Sequence, residues 1–192
     1  MNSPRGFLLT CQRLGVPPSR FVLTVSVDDQ TLSLAERTWR PGCGRCARPE
    51  AGTPNGYRVV RTFRCSTSRV GVGQSEGSNR TPLGLHRIAE KIGGGRPPGA
   101  VFKSRRAVGF TWQGMPDATI TSRILWVEGL EPGFNRGGSV DSHARYIYIH
   151  GTGDETGLGR PASCGCIHLA ADDLIPLFDK LPIGTLVWIS DR

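Results

Sequence analysis

Lysine is almost missing from this chain. Lys91, Lys103 and Lys180 are the only lysines among 24 basic residues, so arginine carries nearly all of the positive charge behind a formal net charge of +8. A basic surface suits a polyanion or a carboxylate-rich substrate, and it equally reflects genome composition. No basic run is interleaved with aromatics, which make up 7% of the residues. The footprint of a nucleic-acid protein is therefore not there. No apolar stretch approaches the roughly 20 residues that a membrane-crossing helix needs. The N-terminal "GFLLTC" is also shorter than the ~7–15 residue apolar core of a secretory signal, which leaves export and the cytoplasm both open. Helical periodicity is scarce. With 26 glycines and 14 prolines in 192 residues, the chain favours short strands and turns.

Short strands are what the pattern supplies. "FVLTVSVDDQTLSL" alternates over 21–26, turns at the Asp-Asp-Gln step and returns over 31–34 as a hairpin. "YRVVRTFRCS" reads as a strand, and further strands are expected at Leu85–Ala89, Ala107–Trp112, Ile124–Val127, Arg145–His150 and Leu186–Ile189. One helix stands out, "ADDLIPLFDKLPIG". Asp172 or Asp173 is its expected cap, Pro176 sits in its expected first turn, and Leu174, Leu177, Phe178 and Leu181 form its apolar stripe. The length suits one domain. The reading is a mostly-β, single-domain, sandwich or barrel-like fold with one or two short helices. Residues 1–19 read as a mobile leader, 20–192 as the functional domain, and about 38–57 as a Cys/Pro/Gly-rich insertion.

The chemistry gathers near the C-terminus. In "ARYIYIHG", Ile147 and Ile149 alternate with Tyr146, Tyr148 and His150, which puts His150 off the apolar face at a strand end. Alone, it reads as a rim histidine. In "SCGCIHL", an extended run from Cys166 puts Ile167 and Leu169 in the core, with Cys166 and His168 on the opposite face. Gly165 permits a tight turn that exposes backbone N–H groups. A thiol beside such donors and a basic neighbour is equipped for acyl transfer. Its unperturbed pKa near ~8.5 requires that neighbour, and His150 and His168 both qualify.

The six cysteines allow a rival reading. "CGRC" at Cys43 and Cys46 has zinc-knuckle spacing and could join Cys164 and Cys166 in a four-cysteine site. The single residue inside "CGC" strains two thiolates onto one tetrahedral ion, so no metal is expected. A Cys164–Cys166 disulfide would need a strained turn. Cys65 reads as a half-buried strand residue, Cys11 as part of the leader and His86 as structural. Arg145 and Arg160 are candidates for meeting carboxylates.

"IHGT" at 149–152, followed by "SCGCIHL" at 163–169, resembles the L,D-transpeptidase (YkuD-like) catalytic domain. "RTPLGLHRIAEKIG" resembles that family's Thr-Pro-x-Gly strand entry, and "VDDQTLSL" its first hairpin. The resemblance implies a β-rich enzyme of peptidoglycan. A cysteine attacks the bond before the terminal D-residue of a tetrapeptide donor, D-alanine leaves, and a thioester remains. A diaminopimelate amine of a second stem peptide resolves it into a 3→3 cross-link. Water as acceptor would make the enzyme an L,D-carboxypeptidase.

By position, the resemblance makes Cys166 the nucleophile and His150 the base. Gly151 orients the imidazole through its carbonyl. Gly165 with Cys166 forms the oxyanion segment, and Ser163 is the motif's hydroxyl. Tyr148, Thr152, Arg160, His168 and Cys164 are substrate-binding candidates. No cofactor is implied, and the periplasm or cell envelope is the expected location. Two residues depart from the pattern: Cys164 replaces a histidine, and His168 replaces an arginine or asparagine. A non-catalytic peptidoglycan-binding domain and a zinc-stabilised module are the readings from other classes.

Overall fold

The computed structural model describes residues 4–38 and 56–191. The expected hairpin is there, as β1 (Phe21–Ser26) and β2 (Thr31–Arg37). It is tightened at Gln30, whose φ is 51°. β3 (Tyr57–Arg64) pairs with β2, and β10 (Leu186–Ser190) runs parallel to β1. The sheet continues from β10 through β4 (Gly84–Ile92) to β7 (Thr121–Gly129). At β7 it branches. One branch is the hairpin of β5 (Ala100–Lys103) and β6 (Arg106–Phe110). The other is β8 (Tyr148–Gly151), with β9 (Ile167–Leu169) parallel beside it. Among the described residues this makes one mostly antiparallel sheet, so the mostly-β expectation holds.

The sheet has two apolar faces, each closed by a helix. Leu23, Val25, Leu32, Leu34, Ile88, Leu125, Val127, Ile149, Ile167 and Val187 point into the main core. α2 (Ala171–Lys180) seals that side with Leu174, Leu177 and Phe178, and Leu181 follows at its end. The stripe falls where the 3.6-residue period puts it. The cap does not. The N-cap is Ala170, without a side-chain bond, and Glu155 Oε1 accepts from the Ala171 N–H at 2.8 Å instead. Asp172 and Asp173 lie inside the first turn, where their charges favour the positive helix end. Pro176 lies one turn further on than expected.

The other face holds the larger correction. Residues read as a mobile leader form α1 (Pro4–Leu14), which buries Phe7 and Cys11 against Val22, Tyr57, Leu85, Leu186 and Trp188. Phe7 meets Tyr57 and Trp188 edge-on at 5.9 and 6.3 Å between ring centroids. The 3.6-residue spacing of Phe7, Cys11 and Leu14 was the signal. Burial pushes the Cys11 thiol up to about 11, so it is a core side chain.

Cys43 and Cys46 lie outside the described residues, and so does most of the 38–57 segment. Its ends are closed by the Thr38 N–H, which donates to Gly56 O at 2.7 Å. β5 escapes sequence reading because four residues between Gly99 and Ser104 are too few to show alternation. The strand expected from Arg145 starts only at Tyr148, because Tyr146 has a left-handed φ of 57° and leaves the sheet, 52% exposed.

Candidate active site

The parallel pairing of β8 and β9 builds the site. Ile149 pairs with Ile167 and His150 with His168. Side chains in register on adjacent parallel strands point to the same face. The His150 and His168 rings accordingly lie together, with centroids 4.7 Å apart. One step back along both strands, the same register puts Tyr148 opposite Cys166. Cys166 packs on the cluster of Phe102, Ile124, Trp126 and Tyr148. His150 and Cys166 are thus diagonal neighbours on one face, and Ile149 and Ile167 anchor the opposite face in the core.

The imidazole is held from behind. His150 is 1% exposed, and its Nδ1 lies 2.8 Å from Gly151 O. A carbonyl can only accept, so Nδ1 carries the proton and Nε2 keeps its lone pair. Gly151 has to be glycine, since a Cβ there would sit 2.7 Å from Thr121 O on β7. Burial, and then the neighbouring His168, lower the His150 pKa to about 3 against the pull of the Gly151 carbonyl. Burial also lowers His168, which Asp154 partly opposes.

The thiol sits on a cross-linked turn. Ser163 Oγ donates to Cys166 O at 2.6 Å and accepts from the Gly165 N–H at 3.1 Å. Thr81 Oγ1 donates to Gly165 O at 3.1 Å and accepts from the Ser68 N–H at 3.0 Å. This is what the Thr of "TPLG" does. Gly165 has φ of 120°, a conformation closed to other residues. Its N–H donates to Ser163 Oγ. The Cys166 N–H meets no acceptor among the described residues. The Cys166 thiol donates to Tyr146 O at 3.5 Å. Burial pushes it up to about 11, with the Tyr148 N–H and Arg145 pulling it down.

The remaining candidates divide. Tyr148 lines the site, and its hydroxyl accepts from Arg105 at 3.4 Å. Cys164 is a free, exposed thiol, with Arg69 Nη2 at 3.1 Å from its sulfur. Thr152, two residues past His150, lines a cavity of about 450 Å³ together with Trp112, Ser122 and Glu155. Arg160 is exposed and donates to Thr156 O at 3.2 Å. Arg145 spends its guanidinium on the carbonyls of Gly73, Gln74 and Arg80, at 3.3, 2.7 and 2.7 Å. His86 is structural, bonded to Gly84 O and Ser142 Oγ at 3.0 and 2.9 Å. His143, which has no nameable partner in the sequence, stacks on Trp126 at 4.0 Å. Sequence reasoning missed Arg105 and Arg69, whose approach to the site depends on turns with no motif, and Trp126, which β7 brings there by pairing with Tyr148.

The chain is similar to known proteins. The "L,D-transpeptidase catalytic domain" (YkuD) family model matches residues 20–189. ErfK/SrfK of Salmonella typhimurium, provisionally named an L,D-transpeptidase, is 50% identical over 48 residues, which is 25% of this chain and 16% of that protein. YqjB of Bacillus subtilis, also provisionally named so, is 36% identical over 78 residues, 41% of this chain and 39% of that one. The matches thus span well under half of either relative. The solved structure of Bdellovibrio bacteriovorus Bd1075 shares the fold, with a TM-score of 0.53 at 17% identity over 91% of this chain and 49% of that one. No helix among the described residues is long and apolar enough to cross a membrane. The chain belongs to the YkuD family of L,D-transpeptidase catalytic domains.

Proposed function

We propose that this protein is a peptidoglycan L,D-transpeptidase of the cell envelope, that residues 20–192 are its catalytic domain, and that Cys166 is its nucleophile. The observation that carries the reading is the shared face of β8 and β9. It sets Cys166 diagonal to a buried His150 whose free lone pair is fixed on Nε2 by the Gly151 carbonyl.

A thiol raised to about 11 beside an imidazole lowered to about 3 rests as a neutral pair. The thiol proton therefore moves to Nε2 as sulfur attacks the carbonyl of the residue before the terminal D-residue. In this reading the Cys166 N–H meets the oxyanion, and the Gly165 N–H joins it by leaving Ser163 Oγ. The imidazolium returns its proton to the departing amine. D-alanine leaves, and the thioester remains on Cys166. The diaminopimelate amine of a second stem peptide attacks next, with His150 taking its proton, and the cysteine is released as a 3→3 cross-link forms. No step calls for a cofactor.

The test is to expose the protein and its Cys166→Ala and Cys164→Ala variants to a carbapenem, a class that acylates this family's cysteine, and to weigh them intact. Loss of the adduct in Cys166→Ala alone is expected. An adduct that survives in Cys166→Ala and disappears in Cys164→Ala would overturn the assignment. An adduct on no form would favour a peptidoglycan-binding module. With tetrapeptide substrates, cross-linked dimers mark a transpeptidase, and tripeptide without dimers marks a carboxypeptidase.

A further inference from the structure

The β5–β6 hairpin turns at Ser104 and Arg105, both left-handed with φ of 46° and 65°. This is the tight two-residue turn that matches strand twist. The Arg105 side chain reaches across to the site wall. Its guanidinium carbon lies 4.8 Å from the Trp126 ring centroid and 5.0 Å from that of Tyr146, and Nη1 is 3.4 Å from the Tyr148 hydroxyl. Two of these groups flank the nucleophile. Tyr146 O accepts from the Cys166 thiol, and Cys166 packs against the apolar cluster that contains Tyr148.

Arg105 has no carboxylate within ion-pair distance among the described residues. Glu90 is near enough to be felt, but it turns its Oε1 to His143 at 3.3 Å. Arg105 is thus a guanidinium fixed by rings and a phenol, with most of its donors unspent, at the rim of the site.

The other cations nearby are committed or misplaced. Arg145 holds three backbone carbonyls of the 73–80 loop. Arg160 sits on its own loop against Thr156. Arg69 lies against Cys164 on the outer side of the nucleophile turn. His168 stands where the motif has arginine or asparagine, and burial keeps it uncharged.

We propose that Arg105 is the carboxylate-recognising residue of this site, supplying from the β5–β6 turn the cation that β9 lacks. The inference rests on the transpeptidase reading and names how its substrate is held. The ligand chemistry is a carboxylate of the stem peptide. Two sources carry it: the C-terminal carboxylate of the donor's D-residue and the side-chain carboxylate of diaminopimelate.

Binding tests this apart from turnover. Calorimetry on the Cys166→Ala protein would compare a tetrapeptide with its C-terminal amide and with its diaminopimelate amide. Charge-assisted bonds to guanidinium predict that one amide binds about 10- to 100-fold more weakly, and whichever it is identifies the source. Adding Arg105→Gln is expected to weaken the acid peptide to the level of that amide and leave the amide unchanged. Arg105→Lys should recover part of the difference, since an ammonium lacks the planar fork. Arg69→Gln should keep the discrimination. An unchanged melting temperature in Arg105→Gln would show that the fold is intact. The inference is overturned if both amides bind like the acid, if Arg105→Gln still discriminates, or if Arg69→Gln is the variant that does not. Absence of turnover by the unsubstituted protein would count against the transpeptidase reading and leave the binding comparison standing.

Discussion

The two ends of the sheet are held by different forces. The β1–β2–β10–β4 end is apolar on both faces, with the main core on one side and α1 docked on the other. The β7–β8–β9 end has the main core and α2 on one face, and a smaller apolar cluster of Phe102, Ile124, Trp126 and Tyr148 on the other. On that second face lie His150, His168, Tyr148 and Cys166, and the segment leading into it is tied by Ser163, Thr81 and Arg145. One end is built from area removed from water, which is tolerant of detail. The other adds directed bonds to that area, which fix positions and lose them when one partner goes.

The sharpest way to break this comparison is to remove one residue from each end. On the proposed mechanism, His150→Gln should lower the rate of carbapenem acylation by about 10²- to 10⁴-fold, the usual worth of a positioned base. A loss below tenfold would shift the base role to His168. Leu174→Ala, in the main core, should cost about 2–5 kcal/mol by opening a cavity between α2 and the sheet. Its acylation rate, measured well below the melting transition, should stay within a few-fold of the parent. Phe7→Ala should cost about 3–5 kcal/mol, because it undocks α1 from Tyr57 and Trp188. A melting temperature unmoved by Phe7→Ala would sink the docked-helix account.

Thr81→Val couples the two properties. Thr81 is fully buried, and its hydroxyl serves both Gly165 O and the Ser68 N–H. Removing it strands both groups at about 1–3 kcal/mol and frees the turn that carries Cys166. Stability and acylation should fall together here, unlike in Leu174→Ala. A variant that loses stability alone would show that the turn is held without Thr81.

The same contrast explains what the sequence could reveal. Apolar alternation marked β1 and β2, while β7 and β10, buried on both faces, showed as short continuous apolar runs. The stripe on α2 was legible from its 3.6-residue period. α1 was not, since a leader rich in Pro, Gly and Arg hides an apolar spacing of only three residues. At the site, the spacing of His150 and Cys166 was legible because it lies within two short motifs. The occupied Gly165 N–H, the diversion of Arg145 to backbone carbonyls and the arrival of Arg105 were not. Each depends on contacts between segments tens of residues apart, for which no local pattern exists.

Acid should weaken both ends, through His86 on β4 and His150 on β8. His150 and His86 are buried neutral, with pKa values lowered to about 3 and about 4. In the unfolded chain both return to about 6.5, so between those values the unfolded state binds more protons. Their neutral burial costs nothing above pH ~6.5, and stability is lost as pH falls from there toward 4 and 3. The melting temperature should therefore decline below pH ~6.5. His86→Gln should flatten part of that decline, because it removes one of the two protonation sites. A melting temperature that held steady or rose from pH 6.5 to 4 would contradict the buried neutral histidines.

The smallest effect is expected at Arg20, and it sharpens the reading of Arg105. Both guanidiniums lie 4.8 Å from an aromatic ring, that of Phe21 for Arg20 and that of Trp126 for Arg105. Arg20 has an acid partner: its Nε and Nη2 reach Glu36 Oε1 at 3.0 and 2.8 Å. With 74% of its side chain exposed, that pair is worth at most about 1 kcal/mol and should fade with salt. Arg20→Gln should thus shift the melting temperature by a degree or two at low salt and by less at high salt, with peptide binding untouched. Arg105→Gln should do the reverse, because its donors face the site rather than a neighbouring side chain. If the two substitutions behaved alike in both measurements, the distinction between a solvated surface pair and a guanidinium reserved for a ligand would have to be abandoned.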